Sequence, residues 1–476
     1  MTAALYDNAQ RSATRDSVQS SGPFDLGSYP HLLRFPPLRP EGSRARGVTG
    51  YGGTGTASTV IDAIVVPTVR SAEQLRAAVK LAVDARCQLV TLHSHKFPSG
   101  LAAVLGKLGR GMATPLALRS SAAHHLLDLA AGLPQVVHSP SAFDISRKRN
   151  LGLLVGRACG WSRMLFLDDD IRWLDLDKLS AASAGLDEYP VVGLQVGNCP
   201  DLSVIGHARR LTGGSPKPFI SGGSLLVNPQ RLNGFFPAVY HEDWLCIINH
   251  LRRGQVAVSG HVKQLNYNPF KDSQRARFEE FGDILAFGLL WLIHTRTQTA
   301  AAHPSLNGKD SSAAHRDYWD EAIRADFWRE VLRQRAAVLD DLAARLRLRS
   351  QQDISSLESV QAAQQQCRRL SPDDFVSFMR KWADNLSIWH DRTSCLPRAD
   401  SIVKALDKLD LLRVVRMQEG NPGRVRAAWA YRAHSARETG ARARIAASVV
   451  TRDSILDGTM PDGPHNPAKR LRRRIG

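Results

Sequence analysis

A chain of 476 residues, 43% hydrophobic and 23% charged, has the apolar content to bury a large core and reads as two or three globular units, not as a disordered or fibrous protein. Its six cysteines stand singly with no CxxC pair, which argues against both a zinc knuckle and a disulfide framework. Lys and Arg outnumber Asp and Glu 63 to 45, and the formal net charge of +18 attracts polyanions such as nucleotides, nucleic acid or an anionic membrane surface.

In chain order, residues 1–58 carry Pro, Gly, Ser and Arg without sustained periodicity, and Gly50-Tyr51-Gly52-Gly53-Thr54-Gly55 closes them like a linker. An extended or disordered segment is expected there. No basic-apolar-small signal pattern opens it, and a cytoplasmic protein is predicted. From Val60 the pattern changes: a strand over 61–66, a helix over 71–85 and a strand over 88–92 make a β-α-β opening, which implies a parallel sheet. Further strands are predicted over 134–138, 164–167, 191–196 and 224–227, with helices over 149–158 and 243–253. Residues 278–294 and 319–348 read as helices, the first strongly apolar. Its run over 281–293 is too short to span a bilayer and is flanked by Glu279, Glu280 and Asp283, so a core helix is expected. Beyond Ser350 the chain reads as mostly helical. Half of the positive surplus lies past Leu411 with few aromatics to stack on bases, so nucleic acid is not the expected partner. Peripheral contact with an anionic membrane stays open.

The most informative segment is Met164-Leu165-Phe166-Leu167 followed by Asp168-Asp169-Asp170. The apolar run reads as a short buried strand. Three carboxylates at its end repel one another unless a cation or hydrogen-bond donors lie between them. At the carboxyl edge of an α/β sheet they point to a divalent metal and a phosphorylated substrate. An Asp N-cap on a following helix would need only one of the three.

Together with Ser146-Arg147-Lys148-Arg149-Asn150-Leu151-Gly152 upstream, and with Ser221-Gly222-Gly223-Ser224 and His241-Glu242-Asp243-Trp244 downstream, this segment resembles the core of the GT-A-fold glycosyltransferases of the family-2-like type. The shared elements are an Arg-Asn-x-Gly helix start, the DxD strand, a Gly-rich acceptor-side strand and a Glu-Asp-Trp element, spread over about residues 60–295. The resemblance implies a GT-A, Rossmann-like α/β fold: a mixed, mainly parallel sheet flanked by helices. With the flanks, the implied organisation is 1–58 extended, 59–295 catalytic, 296–460 an α-helical C-terminal region and 461–476 a basic tail.

It also implies the chemistry. A UDP- or GDP-type nucleotide-sugar donor carries a diphosphate leaving group whose charge grows as the glycosidic bond breaks. Mn²⁺ or Mg²⁺ on Asp170, with Asp168 on the metal or the donor ribose, would neutralise it; Asp169 can equally take the ribose role. Pro67, Thr68 and Arg70 would line the nucleotide pocket, Arg70 offering a guanidinium to phosphate or standing as a helix-flanking surface charge. Residues 93–96 lack the family's usual acid at the second strand end. Arg147 and Arg149, expected to open a helix, are candidates for the diphosphate. Gly222 and Gly223 suit close backbone approach to a ligand or a tight turn. In inverting relatives an Asp at the position of Asp243 is the general base, with Glu242 positioning the acceptor; a helix N-terminal acidic pair is the plainer reading. Trp244 is a sugar platform or a core Trp. His261 falls where a metal or diphosphate ligand is found. The acceptor is not legible. A retaining transferase, a nucleotidyltransferase (which would need glycines after the first strand) and a non-catalytic polyanion binder are the alternatives.

Overall fold

The strands of this protein are apolar on both sides because the sheet is covered on both faces. In the computed structural model, Ala63 and Val65 of the first strand join one buried cluster, with Val90, Leu92, Met164 and Phe166. Ile64 and Val66 join a second, with Leu89, Leu165 and Leu167. Side chains that alternate across a strand thus reach two separate cores, as in parallel sheets with helices above and below. The structure describes residues 24, 60–94, 96–108, 111–118, 126–129, 140–197, 203–214, 220–302, 318–349, 354–409, 411 and 414–416. All of these belong to one compact unit within Met1–Ala430. The strand expected over 134–138 and the basic tail lie outside the described residues.

The strands are β1 (Ala63–Thr68), β2 (Gln88–Ser94), β3 (Ala113–Leu118), β4 (Met164–Leu167), β5 (Ile171–Arg172), β6 (Val191–Val196), β7 (Ser224–Val227), β8 (Val256–Gln264) and β9 (Val414–Arg416). They form one sheet in the order β5-β8-β6-β7-β4-β1-β2-β3-β9. β1, β2, β3 and β4 pair in parallel, and β6 and β8 point the same way, while β5, β7 and β9 run against them. The sheet is therefore mixed and mainly parallel. A register shift lies between β6 and β8, where Gly193 pairs Val258 but Gln195 pairs His261. The extra residue at Ser259-Gly260, with Gly260 at φ +73°, is a bulge that moves the inward side chains of β8 from one core to the other, from Val258 to Val262.

Helices α1 (Arg76–Ala85), α2 (Leu101–Leu105) and α4 (Leu176–Ala184) cover the second core, with α3 (Pro140–Ala158) between α2 and α4 in the chain but on the opposite face. The first core is closed by α3, α5 (Val204–Leu211), α6 (Glu242–Arg252) and α7 (Ser273–Ala302). α3 begins nine residues earlier than expected, with Pro140 at its first position, where a missing N–H costs nothing. Arg147 and Arg149 are consequently in mid-helix and do not open one. α7 has 30 residues and runs past residue 295, so the sheet-bearing part and the C-terminal helices share an element. Its apolar side chains, Phe281, Ile284, Leu285 and Leu289 among them, are buried, and no described helix is long and apolar enough to cross a membrane.

The C-terminal region is helical: α8 (Tyr318–Ala322), α9 (Ala325–Arg347), α10 (Ile354–Cys367), α11 (Pro372–Ser394) and α12 (Ile402–Lys408). The single helix expected over 319–348 is broken at Arg324, whose backbone is extended. α11 starts on a capping box, Ser371 and Asp374 exchanging side-chain and backbone bonds. These helices belong to the first core; the Phe281 ring stacks on Phe375 at 4.6 Å between centroids.

One residue of the amino-terminal segment also belongs to that core. Phe24 is buried, its ring edge-on to Phe287 at 6.3 Å and under the Arg335 guanidinium at 5.1 Å, while its carbonyl accepts from Arg209. An isolated Phe in a segment without periodicity gives no signal of burial. Phe24→Ala should destabilise the chain by about 3 kcal/mol, and a chain starting at residue 56 should lose at least as much. Urea unfolding midpoints check this, and an unchanged midpoint would remove Phe24 from the core.

Candidate functional site

β4 lies on the side of β1 opposite to β2 and β3, so the strand order reverses at the β1–β4 boundary. In open α/β sheets ligands bind at such a boundary, outside the carboxyl ends of the strands. Thr68, the last residue of β1, and Asp168-Asp169-Asp170, directly after β4, meet there. The Thr68 hydroxyl donates to Asp169 Oδ2. Arg70 spans two of the acids, Nη1 lying 3.1 Å from Asp169 Oδ1 and Nη2 3.1 Å from Asp170 Oδ2. Gln264 of β8 adds a bond of 3.3 Å to Asp170 Oδ2. Burial, with Asp170 beside it, holds the Asp169 carboxyl above its usual range despite Thr68 and Arg70.

The acids are met from below by α3, whose residues Ser146 to Asn150 are polar and all buried. Each has a partner. The Ser146 hydroxyl donates to the Pro237 carbonyl. Arg147 Nε pairs Asp128 at 3.2 Å and its guanidinium lies over the Phe143 ring. Lys148 Nζ donates to the Thr68 carbonyl at 2.9 Å, Ser94 Oγ at 2.7 Å and Asp144 Oδ2 at 2.7 Å, and its burial lowers its pKa. Arg149 reaches Asp168 Oδ1 with Nη2 at 3.0 Å and Glu242 Oε1 with Nη1. Asn150 clamps the Phe236 backbone at both its N–H and its carbonyl.

The remaining acids come from the start of α6. β7 runs antiparallel to β4 with Ser224 opposite Leu167, so Ser221-Gly222-Gly223 lies against the end of β4. The Gly223 carbonyl accepts from the Asp168 N–H at 2.8 Å, and Gly222 N–H donates to Asp243 Oδ2. A Cβ on Gly223 would stand 2.8 Å from Asp168 Oδ2; on Gly222 it would stand 2.6 Å from Arg149 Nη1 and 2.7 Å from Asp243 Cβ. Both glycines are required by close approach to the acid cluster. The second oxygen of Asp243, Oδ1, accepts from Trp244 N–H at 2.8 Å, and Asp243 is half-buried. Trp244 is a core residue: its ring is buried and Nε1 donates to the Ile220 carbonyl at 2.8 Å.

Four carboxyl groups, Asp168, Asp169, Asp170 and Glu242, thus pair with two guanidinium groups, Arg70 and Arg149, and the charge of Asp243 also acts on Arg149. Burial, then the neighbouring Asp243 and Asp168, push the Glu242 carboxyl up to about 7, with Arg149 opposing. Its ordinary value is 4.5, so between 4.5 and 7 the folded chain retains a proton that the unfolded chain has released. This contribution to stability is complete below 4.5 and is lost as pH rises through about 7. Glu242→Gln should therefore flatten the fall of stability over that window, by at most ~1.4 kcal/mol per pH unit. Unfolding midpoints of both proteins at pH 5, 6 and 7 measure it; parallel curves would show that Glu242 keeps an ordinary pKa.

Among the described residues no group of three or more His, Cys, Asp or Glu side chains surrounds a common metal position. A divalent ion bound by one or two carboxylates, with phosphates and water completing its shell, does not need one. The fit rests on Asp170: its Oδ1 is buried and, among the described residues, has no hydrogen-bond partner. A hard cation suits that oxygen. The structure does not bring His261 to this point. It is exposed in β8 opposite Gln195, and the β8 side chain that touches Asp170 is Gln264, three residues further on. His93, at the end of β2, turns inward onto Thr91 Oγ1 at 2.9 Å, and burial with Lys148 nearby pushes its pKa down to about 4. Lys148, with Asp144 and Ser94, was not singled out from the sequence; the Asp–x–x–x–Lys spacing on a helix was its signal.

No protein-family profile matches this chain, and no curated protein matches it. Solved structures do align with it. One is the mannosyltransferase PcManGT from Pyrobaculum calidifontis in complex with GDP-Man and Mn²⁺, at 13% identity and a TM-score of 0.29, covering 63% of this chain and 85% of that one. An overlap of that quality carries no argument about this chain's chemistry.

Proposed function

We propose that this protein is a metal-dependent glycosyltransferase that moves a sugar from a nucleotide-sugar donor to an acceptor hydroxyl. The observation that carries the reading is the pairing of four carboxylates with two arginines at the strand-order reversal, with Asp243 beside them and one buried Asp170 oxygen lacking a hydrogen-bond partner among the described residues. The motif resemblance to GT-A-fold enzymes of the family-2-like type supplies the reaction class.

Asp168 and Asp170 would hold Mn²⁺ or Mg²⁺, which when bound supplies positive charge against the diphosphate leaving group. Thr68 and Asp169, locked together, line the nucleotide side with Pro67. Arg70 is the exposed cation of the site, its side chain 46% accessible, and is the group placed to meet phosphate. Arg149 is sequestered between Asp168 and Glu242 and holds the acids in place; Arg147, turned to Asp128, takes no part. Asp243 serves as general base: it is the more accessible of the acidic pair, and a carboxylate oxygen takes the acceptor proton as the sugar is displaced with inversion. Gly222 and Gly223 let the acceptor-side loop lie against it.

Incubation with a panel of UDP- and GDP-sugars and Mn²⁺ tests the reading. Metal-dependent nucleotide binding or donor hydrolysis supports it. Salt-sensitive DNA or RNA binding without nucleotide-sugar affinity would overturn it in favour of a polyanion-binding protein.

A further inference from the structure

The acid pair of α6 follows a residue in an unusual conformation. His241 has φ +63°, a left-handed backbone that costs a non-glycine residue about 1 kcal/mol or more. Its carbonyl accepts from Leu245 N–H at 3.0 Å, the opening bond of the helix, so its geometry sets where Glu242 and Asp243 point. Four contacts hold it, one of them from the Tyr240 ring at 4.2 Å. Its ring stacks on Trp244 at 3.9 Å, meets the edge of Phe287 at 5.8 Å, and its Nε2 lies 2.8 Å from Asp283 Oδ1.

Asp283 belongs to α7 and is itself held from the C-terminal region. Arg335 of α9 places Nη2 2.8 Å from Asp283 Oδ2 and forks onto Glu280 with Nε at 2.8 Å and Nη2 at 2.7 Å. The Ser203 hydroxyl donates to Asp283 Oδ2 at 2.9 Å. All these side chains are buried. Glu279, which also acts on His241, is engaged by Arg275 and by the Val204 N–H. A buried ion network is weak evidence for stability, since apolar side chains of similar volume often do as well. What charges add is direction: the Arg335 fork fixes the Asp283 carboxylate, which fixes the imidazole.

We infer that Arg335, Asp283 and His241 are positioning residues for the Glu242-Asp243 pair, and that the C-terminal helices are in this way a working part of the site; the catalytic consequence rests on the reading proposed above. The chain of contacts ends at the acceptor side: Asp243 receives the Gly222 N–H, and Trp244, stacked on His241, bonds the Ile220 carbonyl just ahead of that loop. The nucleotide side, at Thr68 and Arg70, is outside this chain of contacts.

Asp283→Asn keeps the shape and removes the charge, and His241→Asn keeps a residue that tolerates φ > 0 but is too short to reach Asp283. In the full-length chain, amide exchange at Leu245 and Gly222 should quicken by at least ~10-fold in both variants, with exchange in β1 and β2 unchanged. The kcat for transfer should fall about 10- to 100-fold, while Mn²⁺-dependent nucleotide affinity stays within about 2-fold. Arg335→Lys, with one point charge for a fork, should fall between wild type and Asp283→Asn. Unchanged exchange at Leu245 and Gly222 would overturn the positioning role, as would a uniform rise in exchange with nucleotide affinity and kcat lost together. Faster local exchange in a protein whose wild type uses no nucleotide sugar would leave the positioning intact and overturn the proposed activity.

Discussion

Asp170→Asn should lower donor turnover by at least the ~10²-fold that follows loss of one important electrostatic contact in an active site. The substitution keeps the size of the side chain and can retain bonds to Arg70 and Gln264 through the remaining oxygen. What it removes is the charge on the oxygen that has no hydrogen-bond partner among the described residues. Chelation with EDTA should have a comparable effect on the wild type, and Mn²⁺-dependent nucleotide binding should weaken in the variant with no change in unfolding midpoint. Full activity of the variant and of the EDTA-treated wild type would remove the metal reading of the aspartate cluster.

Asp243→Asn should abolish transfer while nucleotide binding is nearly intact, because a base acts in the chemical step and adds little to donor affinity. Asn can still accept a backbone N–H through its one carbonyl oxygen, so the loop at Gly222 need not collapse. Glu242→Gln is the comparison that separates the two acids. It removes one of the two carboxylates on Arg149, and if Glu242 supports structure, kcat should fall far less than in Asp243→Asn. The reverse order, with Glu242→Gln inactive and Asp243→Asn active, would reassign the base to Glu242. Turnover and isothermal titration with a nucleoside diphosphate read both outcomes.

Much of the sheet was legible from the sequence because its central strands are uninterrupted apolar runs with abrupt ends. The spans 164–167, 191–196 and 224–227 coincide with β4, β6 and β7. β1 extends two residues beyond expectation, through Pro67, a residue that cannot donate to a ladder. β3, with Pro115 inside it, and the short helices α2, α4 and α5 gave too little pattern to be read. At the site, the residue types were legible and their partners were not. Arg147 and Arg149 look alike in the sequence, yet 200° of helix rotation sends one to Asp128 and the other to Asp168. Gly260 cannot be seen to bulge from composition, and that bulge decides the facing of everything after it on β8. Long-range pairs such as Asp283 with Arg335 have no sequence signature at all.

The exposure of Arg70 sets it apart from the other cations of the site. Mobile ions screen exposed charges strongly, with a Debye length of ~8 Å at physiological ionic strength, and buried pairs far less. Raising the salt concentration should therefore loosen the grip of Arg70 on Asp169 and Asp170 while Arg149 and Arg335 stay put. Ionic strength becomes a selective handle on this cluster: it weakens the exposed Arg70 pairs and leaves the buried Arg149 pairs with Asp168 and Glu242 as they are.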